Sequence, residues 1–178
     1  MKRFLFVVFL LVAAASYSNA QKIAIFWDDP TNYVVVSPTY IAQRIMPSTN
    51  KISINDSVFF AYVANMVGGF SKCESSCCKS KVWYGMIQVV IVYDDYNYDV
   101  INMTHSMIDK TLDVGCLELN GKIMEYSKDF QEIMDEIVNY HIVYPSAPIG
   151  NRFLMELIKG KRYHLMPYIP ESKFEQER

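Results

Sequence analysis

Val82-Trp83-Tyr84-Gly85-Met86-Ile87-Gln88-Val89-Val90-Ile91-Val92-Tyr93 is the stretch on which the fold turns. β-Branched and aromatic residues follow one another almost without a break. In a helix each would lose side-chain freedom against the preceding turn, whereas a pleated strand seats them well. Apolar residues do not alternate with polar ones, so the run reads as a long central strand covered on both faces.

Working outward, 94–99 is an acidic, tyrosine-rich turn, and 100–103 is placed to pair back as the other arm of a hairpin. On the amino-terminal side, 71–81 is a polar loop carrying cysteines. Before it, 58–67 is nearly all apolar and ends at Gly68-Gly69, which predicts a second buried strand. Residues 22–27 and 33–37 are β-rich and separated by Asp28-Asp29-Pro30-Thr31-Asn32, a hairpin-like start. Residues 39–46 have the length of one or two helical turns and stop at Pro47, and 51–55 alternates weakly.

Beyond Cys116 the pattern changes. Asn120-Gly121 between apolar flanks is a strong hairpin signal. Phe130, Ile133, Met134, Ile137 and Val138 then recur at helical spacing, with Ser127 at the N-cap position and Asp129 in the first turn. Residues 152–159 predict a second short helix stopped at Gly160, and 163–168 a last strand. The fold predicted is α+β: an antiparallel β-sheet centred on 58–67 and 82–93, with one amphipathic helix packed on it near the C-terminal third. It becomes sandwich-like where the amino-terminal strands supply a second layer.

The first twenty residues predict an address. Lys2 and Arg3 precede a twelve-residue apolar run, Phe4 to Ala15, which is signal-peptide length and too short to span a bilayer. Ser18 and Ala20 fit a cleavage site, so Gln21 is the expected first residue of the mature chain. The domain reading is 1–20 signal peptide, 21–169 one secreted globular domain, and 170–178 a polar tail. No membrane span is expected in the mature chain, and the localisation expected is extracellular.

The four cysteines, Cys73, Cys77, Cys78 and Cys116, predict two disulfides behind that leader. A bond between neighbours Cys77 and Cys78 would strain their peptide, so one of them is expected to pair with Cys73 and the other with Cys116. The longer bond closes about 40 residues, worth roughly 3–4 kcal/mol in the chain-entropy view. Asn55-Asp56-Ser57 and Asn102-Met103-Thr104 are glycosylation acceptors, Asn55 the better placed.

Seventeen basic residues face 19 acidic ones, and pI is about 5.9, which argues against a nucleic-acid partner. Asp95, Asn97 and Asp99 match the opening of a calcium loop, but Val100 and Ser106 stand where it needs Gly and Glu. His105, His141 and His164 form no metal-ligand spacing, and no nucleophile elbow or phosphate loop is present. Asp28-Asp29, Asp94-Asp95 and the separated Glu118 and Glu125 are carboxylates of the kind glycosidases use, read here as acidic surface. Lys159, Lys161, Arg162 and His164 form the one basic cluster. Leu157-Ile158-Lys159-Gly160-Lys161-Arg162-Tyr163 resembles the strand entry of secreted lipid-recognition β-sandwiches, without the cysteine that precedes it there.

No catalytic residue, metal site or cofactor is predicted. The function expected is a non-enzymatic, disulfide-stabilised secreted glycoprotein that binds an extracellular protein, since 13 tyrosines supply contact area with a polar tip. The alternative is a carrier of a hydrophobic small molecule, whose cavity would be lined by the apolar strands and the 10 Phe and 10 Met residues.

Overall fold

A computed structural model describes residues 21–27, 50–73, 86–104 and 117–165. Its strands are β1 (Lys22–Trp27), β2 (Lys51–Ile54), β3 (Met86–Val92), β4 (Tyr98–Thr104), β5 (Leu117–Leu119) and β6 (Lys122–Met124). Its helices are α1 (Ser57–Gly68), α2 (Lys128–Val143) and α3 (Asn151–Ile158). The strands form one antiparallel sheet in the order β2-β1-β3-β4-β5-β6. The α+β class is therefore as the sequence predicts. The described strands make a single sheet, with three described helices: α2 and α3 are expected from the sequence, and α1 is not.

Register explains the layering. Ile52, Ile25, Val89, Ile101 and Leu119 lie in one row across the strands, and Trp27, Ile87, Met103, Leu117 and Met124 lie in the next. These rows share one core with Phe59, Phe60, Val63 and Val67 of α1, with Phe130, Ile133, Met134, Ile137 and Val138 of α2, and with Phe153, Leu154 and Leu157 of α3. Phe70 meets Phe130 edge-on at 5.3 Å, and Tyr140 stacks on Phe153 at 4.4 Å.

The segment 58–67 is a helix, not the strand expected of it. Asp56 caps α1: its Oδ1 accepts the Phe59 N–H at 2.8 Å. Only Phe59, Phe60, Val63 and Val67 are buried, at the spacing of one helical face, while Val58, Ala61 and Asn65 face outward. The apolar composition of the exposed face disguised a one-sided helix as a two-sided strand. The sheet is accordingly centred on β1, β3 and β4.

The partners of β1 are distant in sequence. This strand pairs with β2 on one side and β3 on the other, so it is an interior strand and both its edges are taken. Residues 28–37, the rest of the expected hairpin-like start, lie outside the described residues, as do 39–46. The hairpin expected around 94–99 forms with a shorter turn, Tyr98 and Asp99 already lying in β4, and the Asn120-Gly121 hairpin forms as expected. Asn120 and Gly121 have φ of 50° and 78°, the left-handed pair that a two-residue hairpin requires. Ser127 holds the α2 N-cap position, although its hydroxyl makes no capping bond. The other edge of the sheet, β6, is covered by 71–73: Glu125 donates to the Ser71 carbonyl and Cys73 to that of Ile123.

α3 ends at Gly160 (φ 83°), where Lys161 N–H donates to the Glu156 carbonyl and Gly160 N–H to that of Leu157. Residues 157–163 are thus a helix terminus and not the strand entry of a β-sandwich. No strand forms over 161–165, and 166–168 lie outside the described residues.

Candidate functional site

The β3–β4 hairpin tip carries Tyr96, the most exposed large hydrophobic side chain among the described residues. Val92 and Tyr98 close the ladder. Within the loop, the N–H groups of Tyr93 and Asp94 both donate to the Asn97 carbonyl, and Tyr96 N–H donates to Asp94 Oδ1 at 2.9 Å. Tyr93 turns inward. Its ring meets Phe60 edge-on, and its hydroxyl donates to Asp99 Oδ2 at 2.8 Å. Burial, then the hydrogen bond and the negative charge of Asp99, push the Tyr93 hydroxyl up to about 12.

The turn after β5 braces this hairpin from the side. Asn120 Nδ2 donates to Asp99 Oδ1 at 2.7 Å, while Asn120 Oδ1 accepts the Val100 N–H at 2.8 Å. Both Asp99 oxygens are therefore engaged by protein donors, so the third residue of the apparent calcium loop is already occupied. Tyr96, at the tip, is 94% exposed and Tyr98 56%.

The remaining candidates are scattered. His141 lies in the last turn of α2 and meets the Trp27 ring edge-on at 5.5 Å. His164, at φ 53°, donates its backbone N–H to Glu136 Oε1, and His105 lies outside the described residues. Among the described residues no group of three His, Cys, Asp or Glu could hold a metal. Two members of the basic cluster are paired: Lys161 with Glu156 at 3.2 Å, and Arg162 with Glu132 at 3.3 Å and the Leu157 carbonyl. Tyr126 is half-exposed just before α2. Burial first, then the charges of Asp135 and Glu132, raise its hydroxyl above the usual range. Asp28 and Asp29 are outside the described residues.

Cys73 is disulfide-bonded; Cys77, Cys78 and Cys116 lie outside the described residues, and the connectivity with them. Asn55 is exposed just before α1. Asn102 is the opposite case. It is 3% exposed, on the sheet face away from the described helices, between Gln88 (0%) and Glu118 (6%) in one cross-strand row. Gln88 Nε2 donates to Asn102 Oδ1 at 2.9 Å, and Asn102 Nδ2 donates to Glu118 Oε1 at 3.0 Å.

This ladder was the feature least foreseen. Its signal was present, since Gln88 interrupts an apolar strand and a hairpin register places it opposite Asn102. A glycan on Asn102 would need the nitrogen that holds Glu118. Enzymatic deglycosylation and peptide mapping of secreted protein should therefore find glycan at Asn55 and a bare Asn102. Occupancy at Asn102 would mean that the ladder does not form.

Comparison with protein families, with curated proteins and with solved structures finds no match to this chain. No described helix is long and apolar enough to cross a membrane.

Proposed function

We propose that the chain is a secreted, disulfide-stabilised glycoprotein that binds an extracellular partner without catalysing a reaction, and that the β3–β4 tip is its contact. The observation carrying this reading is the display of Tyr96 and Tyr98 on a loop held by Asp94, Asp99 and Asn120. Tyrosine offers large contact area at small entropic cost, and a loop already fixed loses little freedom on binding.

Packing favours a binder over a carrier. Phe130, Ile133, Met134, Ile137 and Val138 have no surface accessible to water, nor do Ile87, Val89 and Ile101 of the same core. A water-sized void beside any of these side chains would leave accessible area on it. The core around these described side chains is packed, which supports a binder over a carrier.

Labelled protein added to cells of the source organism should bind saturably. Tyr96→Ala with Tyr98→Ala should weaken that binding about 30-fold or more, the effect of losing one hot-spot aromatic, at an unchanged melting temperature. Binding that survives the double substitution would remove the tip from the contact. Release of a hydrophobic ligand in native mass spectrometry, with no saturable binding, would favour the carrier.

A further inference from the structure

Asp94-Asp95-Tyr96-Asn97-Tyr98-Asp99 places carboxylates two and one residues before Tyr96 and three after it. Acidic residues alone make no site. What matters here is that the fold sorts three neighbouring phenols. Tyr93 is turned inward and donates to Asp99, and its raised pKa keeps it a poor nucleophile. Tyr98 sits at the end of the β4 ladder, half-exposed. Tyr96 projects from the tip, 94% exposed, with only its backbone N–H engaged, by Asp94.

The geometry points to Tyr96 as a tyrosine O-sulfation site, the sulfate ester then serving as the group that a basic partner surface recognises. The inference rests on the secretory and binding reading above. A sulfotransferase must hold an adenylyl sulfate, a multiply charged anion, so its cleft is basic and draws in an acceptor flanked by carboxylates. The loop's backbone bonds close among 93–97, so the tip can enter such a cleft without opening the β3–β4 ladder.

In the transfer, the Tyr96 phenol oxygen attacks the sulfur of the mixed phosphoric–sulfuric anhydride. An aryl O–S bond forms. The S–O bond to the phosphate breaks, and the nucleotide leaves with that electron pair. The phenolic proton passes to a base on the transferase, and no oxidant or reductant is involved. The product adds a permanent negative charge at the most exposed point of the hairpin. Two of its tetrahedrally placed oxygens can accept from the planar guanidinium fork together, so the partner expected is Arg- or Lys-rich.

The test expresses the full chain in secreting animal cells and maps the tryptic peptide 82–110 from the medium. The expected result is a mass increase of one SO3, localised to Tyr96 by electron-transfer fragmentation. It should be lost in mild acid, absent in chlorate-treated cells and absent in Tyr96→Phe. Asp94→Asn with Asp95→Asn keeps the turn's acceptor oxygen and should lower occupancy about tenfold. A secreted chain with unmodified Tyr96, a phosphatase-sensitive modification, or sulfate on Tyr93 overturns the proposal alone. Failure of the chain to reach the medium overturns it together with the secretory reading beneath it.

Discussion

Replacing Ile137 by Asp is expected to stop the chain from folding. Ile137 is fully buried at the centre of α2, and Ile133, Met134 and Val138 around it are equally inaccessible. Asp at that position gives up the isoleucine's burial, about 2–3 kcal/mol. It also places a carboxylate among side chains that offer no hydrogen bond, at several kcal/mol more. The sum is of the order of the whole stability of a typical domain, about 5–15 kcal/mol. Val143→Lys provides the control: it changes an exposed position of the same helix near its C-terminal end, where a cation suits the dipole, and should cost less than about 1 kcal/mol. Secreted yield and melting temperature are the readouts. An Ile137→Asp protein secreted and melting like the parent would mean that α2 is not docked on the sheet.

α2 was legible because its period is unambiguous: five apolar residues on one stripe and charged residues between them. The Asn120-Gly121 turn was legible for an equally local reason, since only a left-handed pair closes a two-residue hairpin. Residues 58–67 were not. Their buried and exposed positions are nearly all apolar, so composition hides the period, and the deciding signal was the polar cap at Asp56. The interior place of β1 was also hidden, because its partners β2 and β3 are distant in sequence and pairing leaves no local mark. At the tip, the acidic, tyrosine-rich run announced a turn. Which tyrosine it would display depended on Asp99 and on Asn120, two strands' ends brought together only by the fold.

Asn102→Leu is expected to destabilise the protein more than most single changes outside the apolar core. The side chain carries two bonds in a buried row, accepting from Gln88 and donating to Glu118. Gln88 Oε1 already lacks a hydrogen-bond partner, so the substitution would leave that amide with neither bond. It would also strip Glu118 of a buried donor. An unpaired neutral group costs about 1–3 kcal/mol and an unpaired charged one more, so a loss of about 3–5 kcal/mol is expected in urea unfolding. The cost lies in the stranded partners rather than in the lost bonds. Replacing Gln88, Asn102 and Glu118 together by Leu removes every stranded group and should recover most of the loss. Thr104→Ala abolishes the sequon while keeping Asn102, and so separates the ladder from any glycan. If the triple variant is as unstable as Asn102→Leu, or if Thr104→Ala matches it, the row is not what holds that face of the sheet.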